Sequence, residues 1–210
     1  MINVLLVDDH AIVRDGLKRI IDDSFGMKVL DEARNGIEAL EKLHNNRFDL
    51  VLLDISLPGR NGLEILKEIK SFYPKLPVLI LTMYSEEQYA TRLLKAGASG
   101  FLTKESASDQ LVNAIEIISK GRKFITPKAA ELLADEFNTD PNKEPHQLLS
   151  DREYQVLCMI SSGLTVKEIS QELALSDKTI STYRSRILQK MKRKNNAELT
   201  HYSISNGLIP

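Results

Sequence analysis

Five polar residues of this 210-residue chain, Asp8, Asp9, Asp54, Thr82 and Lys104, stand where short apolar runs stop or just beyond them. Carboxylates brought together repel one another and call for a cation, and their hard oxygens suit Mg2+. An aspartate held beside such a metal can attack a phosphoryl group and become an acyl phosphate. An ammonium and a hydroxyl are what that reaction needs nearby, because charge builds on the equatorial oxygens during transfer. Singly, each residue has a plainer role: a terminal aspartate caps a helix, and a lone lysine is a solvated charge. Five of them at the strand ends of one sheet favour the chemistry.

The elements that must position them are legible. Residues 1–121 carry the runs INVLLV (2–7), MKVLDEA (27–33), DLVLLD (49–54), PVLILT (77–82) and SGFLTK (99–104). The first, third and fourth are continuously apolar, as parallel strands covered on both faces must be. Between the runs, apolar residues recur at helical spacing. Asn35 with Glu38, Asn61 with Glu64, and Ser85 with Gln88 pair as helix starts, while Gly97 and Gly121 suit helix ends. The pattern predicts an α/β doubly wound domain with a five-stranded parallel sheet. Ligands of such sheets bind at the carboxyl ends of the strands.

Residues 122–147 read as a linker with one short helix, about 128–137, running into the hinge-like FNTDPNKEPHQ. From 148 to 210 the pattern is all α, with four helices at roughly 151–162, 166–173, 177–191 and 196–206. Ser150 with Glu153, Thr165 with Glu168, and Asn195 with Glu198 mark three starts, and Ser176 a fourth. Only Ala174, Leu175 and Ser176 separate the second helix from the third, the spacing of a helix-turn-helix. Ile180, Ile187, Leu188 and Met191 form the expected buried face of the third.

Charge divides the same way. Residues 1–121 hold 15 basic and 18 acidic side chains, whereas residues 146–210 hold 9 and 6. A basic tail permits contact with nucleic acid. No apolar run is long enough to span a bilayer, and the start lacks a basic leader, so a cytoplasmic protein is expected. Cys158 lies in an apolar segment and reads as a buried thiol, and the four histidines show no metal-ligand spacing.

The stretches LLVDDH, VLLDISLPGRNGLEIL, VLILTMYS and GASGFLTK resemble the receiver domain of two-component regulators. By that resemblance Asp54 is the phosphoacceptor, and Asp9 and Asp54 ligate Mg2+ with the Ser56 carbonyl. Asp8 then acts through metal-bound water, and Thr82 and Lys104 bind the phosphoryl group. Residues 148–210 resemble the LuxR-type helix-turn-helix of the NarL/FixJ class, through LSDREYQVLCMISSGLTVKEISQELALSDKTISTYRSRILQKM and AELTHYSISNGLI. The resemblance implies a transcription factor rather than an enzyme. It further implies phosphorylation by a sensor histidine kinase, dimerisation of the phosphorylated form and binding to double-stranded DNA.

The third helix of the tail would enter the major groove. Its expected contacts are Ser176, Lys178 and Thr179 at the start, then Ser181, Thr182, Tyr183, Arg184, Ser185, Arg186 and Lys190. Two departures from the family stand out. Phe101 occupies the switch position where many relatives carry Tyr, so a switch there rests on packing. Tyr84 is bulky beside the expected path of the attacking water, which predicts slow loss of phosphate. Two other readings compete with this one. A haloacid-dehalogenase type of hydrolase needs a D-x-D pattern, whereas Asp8 and Asp9 are adjacent. The other rival is a DNA-binding regulator whose receiver ignores phosphate and serves as a protein-interaction module.

Overall fold

A computed structural model describes residues 1–84, 86–138 and 144–209. The chain falls into two compact units, Met1–Leu133 and Ala134–Pro210.

In the first unit five parallel strands, β1 (Ile2–Val7), β2 (Met27–Ala33), β3 (Leu50–Asp54), β4 (Val78–Thr82) and β5 (Gly100–Thr103), lie in the order β2-β1-β3-β4-β5. Helices α1 (Ala11–Asp22), α2 (Gly36–Asn45), α3 (Gly62–Phe72), α4 (Glu86–Lys95) and α5 (Ala107–Ser119) alternate with them. Every residue of β3 and β4 is buried. Alternate side chains of the sheet, including Val4, Leu6, Leu52, Leu79 and Leu81, pack with Leu17 and Ile21 of α1 and Leu111, Ile115 and Ile118 of α5. Burying each such side chain contributes roughly 1.5–3 kcal/mol, which is why the apolar runs settle inside. The order reverses between β1 and β3, so the carboxyl ends of those strands flank a crevice.

The caps explain where helices begin. Asn35 Oδ1 accepts from Glu38 N (2.9 Å). Asn61 Oδ1 accepts from Leu63 N at 2.8 Å, one residue short of the Glu64 pairing expected from sequence. The expected start at Ser85 lies outside the described residues. Gly97 and Gly121 have φ of 102° and 77°, the left-handed conformation that ends their helices.

The first unit does not stop near residue 121. Phe124 N donates to Ser99 O (2.9 Å) and residue 124 bridges Gly100 in parallel, extending β5 sideways. A helix α6 (Pro127–Asn138) follows, with Ala129 and Leu133 packed on Ala90 and Leu94 of α4. These apolar residues draw part of the expected linker onto the α/β body. Part of the expected hinge, residues 139–143, lies outside the described residues.

The second unit holds α7 (Asp151–Ser161), α8 (Val166–Glu172), α9 (Asp177–Lys190) and α10 (Asn196–Ser205), preceded by a 3-10 turn at Pro145–Leu148. Full capping boxes open α7, between Ser150 and Glu153, and α8, between Thr165 and Glu168. The core joins Val156, Leu157 and Ile160 of α7 to Ile169, Ile180, Ile187 and Leu199, with Cys158 1% exposed among them. Leu188 is half-buried rather than buried, because only Ile180 and Ile187 of α9, and Met191 beyond it, reach the interior.

Candidate functional site

Asp8 follows β1 and Asp54 ends β3, and both are 1% exposed. Lys104, just past β5, reaches between them, its Nζ 2.7 Å from Asp54 Oδ2 and 2.7 Å from Asp8 Oδ2. Thr82, at the end of β4, is fully buried, and its carbonyl accepts from Lys104 N (2.7 Å), tying the ends of β4 and β5 together. Asp9, half-buried, completes the carboxylate set. The five strand-end residues therefore converge on one end of the sheet.

The backbone around Asp54 is held closely. Ser56 N donates to Asp54 Oδ1 (2.9 Å), and Gly62 N to Ile55 O (3.1 Å). A Cβ on Gly62 would lie 2.6 Å from the Asp54 carbonyl oxygen and 2.5 Å from Ile55 Cα. Only glycine lets the first turn of α3 rest against the backbone of residue 54.

Burial pushes the Asp54 carboxyl above the usual carboxylate range, with Asp8 adding to it, and Lys104 offsets only part of the rise. For Lys104, burial disfavours the ammonium, but attraction and hydrogen bonding from Asp54 and Asp8 outweigh it and raise its pKa. The lysine stays charged and the carboxylates remain under strain.

Oxygen and nitrogen atoms of Asp8, Asp9, His10 and Asp54 lie within 4.8 Å of one another. Asp8 Oδ2 and Asp9 Oδ1 are buried; Lys104 Nζ lies 2.7 Å from the first and His10 Nδ1 2.9 Å from the second. Two such oxygens beside Asp54 make a donor set compatible with a hard divalent cation. Sequence spacing gave no hint of His10. It joins the cluster because its backbone N donates to Asp8 Oδ1 (2.8 Å), a local turn that folds its ring over the carboxylates.

Phe101 is 2% exposed, paired in register with Ile80. Tyr84 N donates to Thr82 Oγ1 (3.2 Å), and the Tyr84 ring rests on that of Tyr89 in α4, with centroids 4.9 Å apart.

In the second unit, α9 is presented by the turn before it. Ala174 takes a left-handed φ of 51°, and Leu175 N donates to Ser170 O (2.9 Å). Ser170 Oγ donates to Asp177 Oδ1 (2.5 Å), fixing the start of α9 to α8. The buried Arg152 reaches across from α7, donating to Gln155 Oε1 (2.7 Å) and to Leu173 O at the end of α8 (3.4 Å).

The outer face of α9 is polar. Ser176, the cap, accepts from Thr179 N (3.1 Å) and is exposed, as are Lys178, Ser181, Thr182, Ser185 and Arg186. Ser176, Lys178, Thr179, Thr182, Tyr183 and Arg186 line a shallow cleft of about 310 Å3. Thr182 Oγ1 donates to Lys178 O (2.9 Å) and Ser185 Oγ to Ser181 O (3.0 Å). Two expected contacts are engaged elsewhere: Arg184 Nε donates to Asn196 Oδ1 (2.6 Å), and Lys190 Nζ to the buried Glu153 Oε2 (2.6 Å).

Residues 4–116 match the family described as response regulator receiver domain, and residues 147–203 match the bacterial regulatory proteins of the luxR family. The chain belongs to the response regulators. This response regulator is 39% identical over 209 residues to the response regulator UvrY of Escherichia coli K12, covering 99% of this chain and 96% of that one. It is 38% identical over 210 residues to the response regulator GacA of Pseudomonas viridiflava, with 100% and 98% covered. Among solved structures, the Salmonella typhimurium RcsB response regulator superposes with a TM-score of 0.62 at 27% identity, over 96% of this chain and 98% of that one. RcsB dimers bound to two parallel DNAs give 0.60 at 26%, over 97% and 98%. Both domains of this response regulator, a receiver and a LuxR-type helix-turn-helix of the NarL/FixJ class, thus occur together in relatives that span its length. Its family regulates transcription and does not turn over small molecules as an enzyme. Among the described residues, no helix is long and apolar enough to cross a membrane.

Proposed function

We propose that this response regulator accepts a phosphoryl group on Asp54 and binds double-stranded DNA through α9, with phosphorylation promoting dimerisation and operator binding. The observation that carries the first part is the convergence of Lys104 Nζ on two buried carboxylates at 2.7 Å each. An Asp54 oxygen attacks phosphorus, the nitrogen–phosphorus bond of a sensor kinase's phosphohistidine breaks, and the leaving imidazole nitrogen takes up a proton. Lys104 and the Thr82 hydroxyl balance the oxygens of the new acyl phosphate. Asp8, Asp9, Asp54 and the Ser56 carbonyl would hold Mg2+, which supplies charge neutralisation during transfer.

The luxR-family match and the DNA complexes of RcsB support the second part. On α9, Lys178, Thr179, Ser181, Thr182, Tyr183, Ser185 and Arg186 face the groove or its phosphates, with Ser176 at the helix start, where backbone N–H groups favour a phosphate. Arg184 and Lys190 hold the helix to α10 and α7.

The test pairs wild type with Asp54→Asn. Wild type should take up acid-labile phosphate stoichiometrically from a small phosphoryl donor, and its dimer fraction and operator affinity should rise. Asp54→Asn should do neither. Equal DNA affinity with and without phosphate would instead favour a receiver that works as a protein-interaction module.

A further inference from the structure

We propose that the first unit carries a second ligand site, at the opposite end of its sheet from Asp54, and that its ligand is a nucleoside phosphate whose base bears an amino group. The site stands apart from the phosphoacceptor chemistry above. It is a cleft of about 860 Å3 between two loops, residues 43–49 leading from α2 into β3 and residues 73–77 leading from α3 into β4. That volume lies in the range that encloses small organic ligands. The five residues of β3 run from the cleft to Asp54, and at about 3.3 Å per residue they keep the two sites roughly 16 Å apart. The second loop is held before any ligand arrives. Pro74 and Pro77 restrict its backbone, Leu76 N donates to Tyr73 O (3.0 Å), and Lys70 Nζ donates to Leu76 O (2.9 Å).

Three features of the lining select the ligand. Each loop contributes one half-buried ring, Phe48 and Tyr73, beside the apolar Leu43 and Leu76. Both helices end at the cleft: the last turn of α2 supplies Leu43, His44 and Asn45, and Tyr73 caps α3. Helix ends of this kind leave carbonyl oxygens without helical partners and by themselves favour a cation. Arg47 and Lys75 reverse that preference at the rim. Both are exposed, and neither has an ion pair or a side-chain hydrogen bond among the described residues. The Asp49 carboxylate is engaged, its Oδ2 accepting from Asn3 N (2.8 Å). A ligand that meets all of this has a flat body for the rings, amine donors for the carbonyls and negative charge for Arg47 and Lys75. A nucleotide with an exocyclic amine combines them, since any base stacks on an aromatic ring and phosphate is a strong partner for guanidinium and ammonium. A polyamine would leave the two cations repelling it, and inorganic phosphate would leave the rings and carbonyls unused.

The experiment is an NMR titration of the 15N-labelled full chain with AMP, in EDTA so that no metal draws phosphate into the Asp54 pocket. AMP should shift the amide signals of residues 43–49 and 73–77 and leave residues 54–56 unmoved. Adenosine lacks the charge, pyrophosphate lacks the ring, and IMP carries a keto oxygen where AMP has its amine; each should bind about tenfold more weakly or worse. Arg47→Ala combined with Lys75→Ala removes two exposed side chains without partners among the described residues, so the fold is kept. That variant should weaken AMP by about tenfold and leave adenosine as it was. Tyr73→Leu, which keeps an apolar side chain and removes the ring, should weaken AMP and adenosine alike. Loop signals that stay put at millimolar AMP overturn the site. Pyrophosphate or IMP binding as tightly as AMP overturns the nucleotide assignment, as does an undiminished AMP affinity in the Arg47 and Lys75 double variant.

Discussion

Lys104 holds two buried carboxylates, of which Asp54 is pushed by burial above the usual carboxylate range, so the pocket depends on a cation between them. Replacing Lys104 with Met leaves buried charge uncompensated and should cost about 3 kcal/mol in metal-free buffer. Urea unfolding with and without Mg2+ checks it: the metal should restore more stability to the variant than to wild type. The pH dependence has a definite sign. The folded pKa of Asp54 is raised, so the native state holds that proton more tightly than the unfolded chain does. Its favourable contribution is complete below the ordinary carboxylate pKa and lost as pH rises through the raised value. Asp54→Asn should therefore melt higher than wild type at neutral pH in EDTA, and the gap should shrink on acidification; a gap that widens contradicts the burial argument. At Tyr84, the ring stacked on Tyr89 bounds the pocket side of α4, and Tyr84→Ala should shorten the lifetime of phospho-Asp54 several-fold, read from phosphate release.

At the scale of elements, α9 is clamped at both ends, by Ser170 on Asp177 and by Lys190 on Glu153. If the Lys190 ammonium braces α7, Lys190→Ala should cost about 1–2 kcal/mol of stability by stranding a buried carboxylate. It should lower DNA affinity without flattening the dependence on salt. Arg186→Ala, at an exposed position proposed to reach phosphate, should instead reduce the log–log salt slope by about 1. Equal slopes for the two variants would return Lys190 to the DNA. The turn before α9 stores strain, because Ala174 is left-handed. Ala174→Gly should raise stability by about 1 kcal/mol in thermal unfolding and leave the helix spacing intact. The sequence exposed most of these elements, since apolar runs and capping pairs are local signals. It could not expose the bond from Lys190 to Glu153, 37 residues apart, nor the ring of His10 over the carboxylates, because neither leaves a periodic trace. Leu188 is only half-buried for a related reason: helical spacing assigns a face, and the neighbouring helices decide how much of it they cover.

For the molecule as a whole, the first unit ends at Leu133 because Phe124, Ala129 and Leu133 find apolar partners on β5 and α4. Residues 122–133 hold apolar positions at Phe124, Ile125, Ala129, Ala130, Leu132 and Leu133, but nothing local in the sequence says which body they pack on. A chain cut after residue 133 should therefore unfold about 2 kcal/mol later than one cut after residue 121, from the apolar area its last twelve residues cover. Chemical denaturation of the two fragments checks it, and equal midpoints would mean that the segment adds nothing to the receiver.

Thr182 and Ser185 have already given their hydroxyl protons to the carbonyls of Lys178 and Ser181. What they can still offer outward is lone pairs. In the major groove, lone pairs complement the exocyclic amines of adenine and cytosine and find nothing to bind on the O6/N7 edge of guanine. A DNA site read by these two hydroxyls would then be written in amino-bearing bases, with guanine left to Arg186 or Lys178.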